Sequence, residues 1–126
     1  MRQTFVIEGR LAGMNEYVFA NRSNRFKGAA LKKENQEKAE AAIAASGIVP
    51  FDKPVIIHYL FVEPNCRRDV DNIASGGTKV ISDALVSKGI IPDDNQKWVK
   101  GMTCKFLVNA KNPRIEVTVA EEEAWN

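Results

Sequence analysis

The chain has 126 residues, 44% of them hydrophobic, and a formal net charge of +2 from 18 Lys and Arg against 16 Asp and Glu. This length fits a single domain, 1–126, and the composition excludes wholesale disorder and a polybasic nucleic-acid coat. Two cysteines form no disulfide framework, no apolar run approaches a membrane span, and no signal peptide is evident. We therefore expect a cytoplasmic protein without a membrane partner.

The first half of the chain predicts a strand, a loop, a helix and a second strand. Residues 3–8 are rich in β-formers and predict the first strand. Residues 9–27 contain several asparagines and little periodicity, which predicts a long loop. Residues 28–46 are rich in Ala, Glu, Lys and Gln and predict a helix that Gly47 ends. The near-continuous apolar run at 55–62 indicates a central strand that is buried on both faces.

A second helix is predicted after this strand. Asp71 or Asn72 can cap it, and the pair Gly76 and Gly77 leaves open a later start at Thr78 because glycine disfavours helix interiors. Apolar and small residues recur on one helical face, which predicts a buried stripe. This stripe consists of Ile73, Gly77, Val80, Ile81, Ala84 and Leu85.

Two further strands complete the predicted fold. Residues 98–108 form a long, mostly alternating segment, and residues 115–119 alternate apolar with polar side chains. The resulting order β-α-β-α-β-β predicts an α+β domain, with a small mixed sheet of about four strands and two main helices covering one face.

The aspartates are concentrated in one part of the chain. Five of the six lie within residues 69–94, a window that contains no glutamate. Asp69 and Asp71 follow the predicted central strand, where two carboxylates can converge on one Mg²⁺. Asp94 returns to their range if the next strand pairs beside the central one. A single D-x-D before a helix is more often a cap, and that alternative stays open at this point.

Basic residues border the aspartate window on both sides. An acidic pocket with basic surroundings suits metal-dependent phosphodiester cleavage, in which cations bind the phosphates and carboxylates hold the metal. Each basic run by itself can also be a solvated face, and this interpretation is favoured for Lys32 and Lys33 at the start of the predicted helix. The candidate DNA contacts are Arg22, Arg25, Lys27, Arg67, Arg68, Lys97 and Lys100, together with Asn15 in the early loop.

Several short motifs follow one another in a fixed order. They are R-R-D-V-D-N at 67–72, Lys79, S-D-A-L at 82–85 and D-D-N-Q at 93–96, preceded by G-M-N-E-Y at 13–17. This ordered set resembles the RusA family of Holliday junction resolvases, and it spans nearly the whole chain.

The resemblance implies a homodimeric, Mg²⁺- or Mn²⁺-dependent endonuclease without a nucleotide cofactor. Such an enzyme nicks two strands of a four-way DNA junction symmetrically, in recombination and repair, within a bacterial or phage-infected cell. The resemblance assigns Asp69, Asp71 and Asp94 to metal binding and catalysis and makes Lys79 the catalytic lysine. Lys79 lies eight residues after Asp71 rather than one helical turn after it, which implies an insertion. Two alternatives are a structure-selective DNA-binding protein that does not cut and a flap- or branch-directed nuclease.

Overall fold

The computed structural model describes residues 1–122, which contain three helices and four strands. In chain order these are β1 (Arg2–Glu8), α1 (Met14–Ser23), α2 (Arg25–Ser46), β2 (Val55–Glu63), α3 (Val70–Ser87), β3 (Val99–Val108) and β4 (Arg114–Glu121). The predicted α+β class is confirmed, with one helix more than expected. None of the helices in this part of the chain is long and apolar enough to cross a membrane.

The sheet is mixed and has the strand order β1-β4-β2-β3. β2 lies between β4, with which it is antiparallel, and β3, with which it is parallel. The prediction of a central strand at 55–62 is therefore confirmed. Because β3 is parallel to β2, the chain must return along α3 to the end of the sheet where β2 begins. The Val55 amide accordingly donates to the Trp98 carbonyl, 2.8 Å away, at that end.

The helices cover one face of the sheet and enclose the core. All six residues of the predicted α3 stripe are buried. They pack toward the aromatic rings of Tyr59, Phe61 and Phe106, which stack with centroids 5.9 and 5.6 Å apart. Full burial stabilises the fold by about 1.5–3 kcal/mol for each large apolar side chain. The packing of this layer is therefore the main energetic support for the position of α3 and of the residues at its two ends.

The prediction of a loop over 9–27 is wrong, because residues 14–23 form α1 and α2 already begins at Arg25. α1 has no fully buried residue, and its apolar spacing is limited to Met14, Tyr17 and Val18, which is too short a stripe to predict a helix. Its start is held by local bonds instead: the Gly13 amide donates to the Glu16 carboxylate at 3.1 Å. Asn24 separates the two helices and caps α2, since its side chain accepts from the Phe26 amide at 2.7 Å.

The start of α3 also differs from both predicted starts. Its N-cap is Asp69, so neither Asp71 nor Asn72 caps it, and the helix begins at Val70 rather than at Thr78. Both glycines lie inside the helix, and glycine is required there because other groups approach the backbone closely. A Cβ at Gly76 would lie 2.5 Å from the Ala12 carbonyl oxygen, and one at Gly77 would lie 2.7 Å from the Phe61 ring.

Candidate functional site

The starts of α1 and α3 meet in an open cleft of about 240 Å³. Asp69 is the N-cap of α3, yet its carboxylate makes no cap hydrogen bond. Neither Asp69 nor Asp71 forms an ion pair within residues 1–122. Both side chains are exposed, so the cleft presents two negative groups to solvent. It is lined by Met14, Asn15, Asp69, Asp71, Asn72 and Ser75.

Asn72 fixes the two helix starts against each other. Its side-chain oxygen accepts from the Asn15 backbone amide at 2.7 Å. A Cβ at Gly13 would lie 2.6 Å from the Asn72 side chain, so only glycine allows this approach. Asn72 thereby holds Asn15 beside the two aspartates. The sequence suggested only a capping role for Asn72, because the position of its partner 57 residues earlier was not visible there.

Arg68 points into the protein and joins three segments. Its guanidinium donates to both carboxylate oxygens of Glu63 at 2.8 Å, and the two side chains are only 14% and 7% exposed. It also donates to the Leu11 carbonyl at 3.0 Å and to Glu16 at 3.3 Å. Burial lowers the pKa of Arg68, but the bonds and charges of Glu63 and Glu16 outweigh it and raise that pKa. These contacts occupy four of the five N–H donors of the guanidinium, which leaves little capacity for a DNA phosphate.

The two adjacent aspartates of the turn after α3 differ in their contacts. Asp93 accepts hydrogen bonds from the Asp94 amide at 2.7 Å and from the Asn95 side chain at 3.1 Å. The Asp94 side chain is half-buried and has no hydrogen-bond partner in the described part of the chain. The pKa of Lys79 is raised mainly by its hydrogen bond to Asp83 and also by the charge of Asp94. Of the two, Asp94 therefore has the carboxylate available for a ligand.

Asp94 does not join Asp69 and Asp71 within the chain. No group of three or more His, Cys, Asp or Glu side chains is close enough to hold a metal ion anywhere in residues 1–122. The expectation that pairing of the next strand would return Asp94 to their range is wrong for a single chain. β3 does pair with β2, but in parallel, so the Asp94 turn lies at the opposite end of α3 from Asp69.

Lys79 lies away from the aspartate cleft. It lies eight positions after Asp71, which corresponds to about 12 Å along a helix axis. Its ammonium donates to Asp83 at 3.2 Å, and the other oxygen of Asp83 pairs with Lys32 at 3.5 Å. Ser75, one helical turn after Asp71, occupies the cleft position instead.

The remaining predicted DNA contacts are exposed. Three of them surround the corner between α1 and α2, where Asn24 separates the helices. Lys97 precedes β3 and Lys100 lies in it. The Lys97 ammonium lies 5.6 Å from the centroid of the Trp98 ring. The cations among these predicted contacts that are exposed are Arg22, Arg25, Lys27, Arg67, Lys97 and Lys100.

Comparison with protein-family models gives a match over most of the chain. The family model described as endodeoxyribonuclease RusA matches residues 21–120, which is well over half of the chain. The matched segment begins within α1, ends in β4 and contains Asp69, Asp71, Lys79 and Asp94. No curated protein matches the chain.

Proposed function

Because the chain belongs to the RusA family of endodeoxyribonucleases, whose activity is Holliday junction resolution, we propose that it cuts four-way DNA junctions by metal-dependent, paired, symmetric nicks. The observation that carries this proposal is the cleft with two carboxylates that have no ion-pair partner in the described chain. Carboxylates left without a cation at the start of a helix are well suited to bind a metal with a phosphate substrate.

The donor set of the cleft fits Mg²⁺ or Mn²⁺. Proteins hold Mg²⁺ with one or two carboxylates, and waters and substrate phosphates complete its shell. We propose that Asp69 and Asp71 would hold the ion and that Asp94 is the third ligand of the working enzyme. Bound there, the ion would supply an activated water and charge stabilisation for the leaving oxygen.

The other residues of the chain would bind and orient the DNA. Exposed cations at the α1–α2 corner would contact phosphates of the arms, and the Asn15 side chain would approach the strand that lies in the cleft. Arg68 would keep the cleft in shape through Glu63 rather than touch DNA. Lys79 remains the candidate catalytic lysine by family; its ammonium, held by Asp83, is better placed for a phosphate next to the one that is cut.

The turn after α3 gives a test with an internal control. Asp94→Asn is expected to lower junction cutting by about a hundredfold or more, since a lost metal ligand removes several kcal/mol at about 1.4 kcal/mol per tenfold. Asp93→Asn, whose carboxylate bonds only to its own turn, is expected to change the rate less than about fivefold. Single-turnover rates on one junction compare them, and the reverse order would remove Asp94 from the metal site.

Salt dependence tests the α1–α2 corner. Log K for junction binding should fall steeply with log salt, by about 0.9 for each phosphate contact. Neutralising Arg22, Arg25 and Lys27 to Gln should lower that slope by about 3. Lys53→Gln, an exposed lysine in the loop before β2, is the matched control and should leave the slope unchanged. An equal slope in the triple variant and the wild type would exclude this corner from DNA binding.

We propose that the working enzyme is a two-fold dimer, because paired nicks on a nearly two-fold junction need two symmetric sites. The edge strand β3 is the candidate interface. Its apolar side chains Met102, Leu107 and Val108 are 51, 55 and 52% exposed. Sedimentation should give twice the 14.0 kDa chain mass. Leu107→Glu should shift the protein toward monomer, and the equally exposed Val49→Glu should not. A monomer that persists on junction DNA would contradict the dimer.

A panel of DNA substrates distinguishes the proposed function from its alternatives. Equal amounts of a mobile four-way junction, a flap and a linear duplex are incubated with protein and Mg²⁺. We expect symmetric nicks in the junction and little cutting of the other two. A junction that is bound but remains uncut would indicate a structure-selective DNA-binding protein, and equal cutting of the flap would indicate a branch-directed nuclease.

A further inference from the structure

A second cavity, of about 280 Å³, lies between the three helices. It adjoins the aspartate cleft, because Met14 lines both and the neighbouring residues Ser75 and Gly76 line one each. Its volume is close to the lower end of the range of about 300–1,000 Å³ for small-molecule pockets. The cavity therefore has room for one planar ring system and not for a DNA duplex.

The walls of this cavity are apolar and its rim is cationic. Met14, Tyr17, Ala29 and Val80 supply apolar and aromatic surface. Gly28 lets the Asn21 side chain pack against α2 at the edge of the cavity, since a Cβ there would lie 1.6 Å from the Asn21 side-chain oxygen. The rim carries Arg25, Lys32 and Lys79. Apolar walls beneath several cations match a ligand that has both a flat ring and a phosphate.

Tyr17, one of the residues that line this cavity, has a hydroxyl that is buried behind the cavity wall and lacks a partner in the described part of the chain. The Tyr17 hydroxyl is inaccessible to solvent and has no hydrogen-bond partner within residues 1–122. Burial, with a smaller contribution from Glu16, raises the pKa of Tyr17 to about 12, so the hydroxyl keeps its proton and can donate. Buried polar groups nearly always have partners, and a small shift of the Tyr17 side chain toward the cavity would give this hydroxyl one.

Two exposed aromatic side chains stand at the same helical corner. Phe19 and Phe26 are 75% and 70% exposed, and the Arg25 guanidinium lies 5.1 Å from the centroid of the Phe26 ring. Solvent-exposed rings among cations are the usual means by which proteins bind unpaired bases, since every base has a face that can stack.

We propose that the cavity between α1, α2 and α3 takes one unstacked base from the branch point of the DNA, while Arg25, Lys32 and Lys79 bind the phosphates beside it. This inference rests on the proposed function and names the part of the substrate that the cavity binds. Stacking is interrupted where four arms meet, so a base at that point is extruded at lower cost than one inside a duplex. The cavity adjoins the cleft, which brings this base close to the strand that is cut.

The test combines a filled cavity with a missing base. Binding is measured for immobile junctions in which each nucleotide beside the crossover in turn is replaced by an abasic one, with Asp71→Asn protein to prevent cutting. One abasic position should weaken binding by about tenfold, the usual loss for one stacked base. Ala29→Phe, which fills the cavity, should bind the intact junction equally weakly and lose sensitivity to that position. Ala30→Phe, on the same helix but outside the cavity, should retain the full sensitivity.

Tyr17→Phe provides a variant that keeps the ring. It removes a hydroxyl that has no partner in residues 1–122, so the melting temperature should not fall, while junction binding should weaken severalfold. The inference is overturned if no abasic position weakens binding more than twofold, or if Ala29→Phe retains the wild-type sensitivity. Cutting by the unsubstituted protein is scored separately: cutting without base dependence removes the cavity proposal alone. Base dependence without cutting removes the nuclease proposal and leaves the cavity proposal standing.

Discussion

Replacing Asp71 by Asn is expected to abolish junction cutting, with a loss of at least about a thousandfold. The substitution removes one of two charged oxygen donors in the cleft, and metal stabilisation of the transition state amounts to several kcal/mol, at about 1.4 kcal/mol per tenfold. Binding of the junction should remain or become tighter, because one negative charge no longer repels the phosphates. Cutting is measured under single-turnover conditions with Mg²⁺, and binding on the same junction.

Asp52→Asn is the matched control for this change. Asp52 is exposed in the loop before β2 and lies outside the cleft, so its neutralisation should alter neither cutting nor binding. An Asp71→Asn protein that cuts within tenfold of the wild type would remove Asp71 from the metal site. A protein that loses cutting and binding together would instead indicate a DNA-binding role for Asp71.

Mixed dimers can locate the third aspartate. Asp71 and Asp94 lie near opposite ends of α3 within one chain, so a dimer that contains one Asp71→Asn and one Asp94→Asn chain is informative. If each site takes both aspartates from one chain, both sites carry a lesion and the mixture is inactive. If each site takes them from different chains, one site is intact and the mixture nicks one strand.

Replacing Arg68 by Met is expected to destabilise the fold by about 3 kcal/mol, the low end of the usual cost of breaking a buried ion pair. That is a substantial part of the roughly 5–15 kcal/mol of a typical domain. The buried Glu63 carboxylate loses two short hydrogen bonds and keeps only Arg10, which lies 3.7 Å away. The variant also loses the bonds to the Leu11 carbonyl and Glu16 that hold the segment before α1. Urea unfolding followed by circular dichroism measures the difference in free energy.

The neighbouring exposed arginine provides the control. Arg67→Met should change the free energy of unfolding by less than about 0.5 kcal/mol, as exposed substitutions usually do. The double variant with Arg68→Met and Glu63→Met should recover much of the lost stability, because no buried charge is then left uncompensated. Equal urea midpoints for Arg68→Met and wild type would show that this ion pair is not a main support of the cleft.

The sequence predicted the elements whose residues carry a strong local signal. The apolar run of β2 indicated its central place, the propensities of α2 indicated a helix, and the α3 stripe was confirmed in full. α1 was missed because it fully buries no residue and because its contact with α3, through Asn72, joins residues far apart in the chain. Local patterns do not encode such a contact.

The same limit applies to the site. The approach of Asp69 and Asp71 to one cleft followed from their spacing after a strand, but the place of Asp94 depended on strand direction. Side-chain alternation is the same in parallel and antiparallel strands, so the sequence could not show that β3 would be parallel to β2. The pairing of Arg68 with Glu63 was equally hidden, because charged side chains are rarely buried.

A supercoiled plasmid with an extruded cruciform tests the central claim, paired nicking of a four-way junction, most directly. Its products distinguish a single nick from two paired nicks made in one binding event. With Mg²⁺, paired symmetric nicks across the cruciform convert the plasmid to a linear molecule with ligatable ends. The account predicts linear product from the wild-type protein, none from Asp71→Asn, and none when the plasmid lacks the cruciform. A product that is mainly nicked circle, or equal cutting of the plasmid without a cruciform, would contradict it.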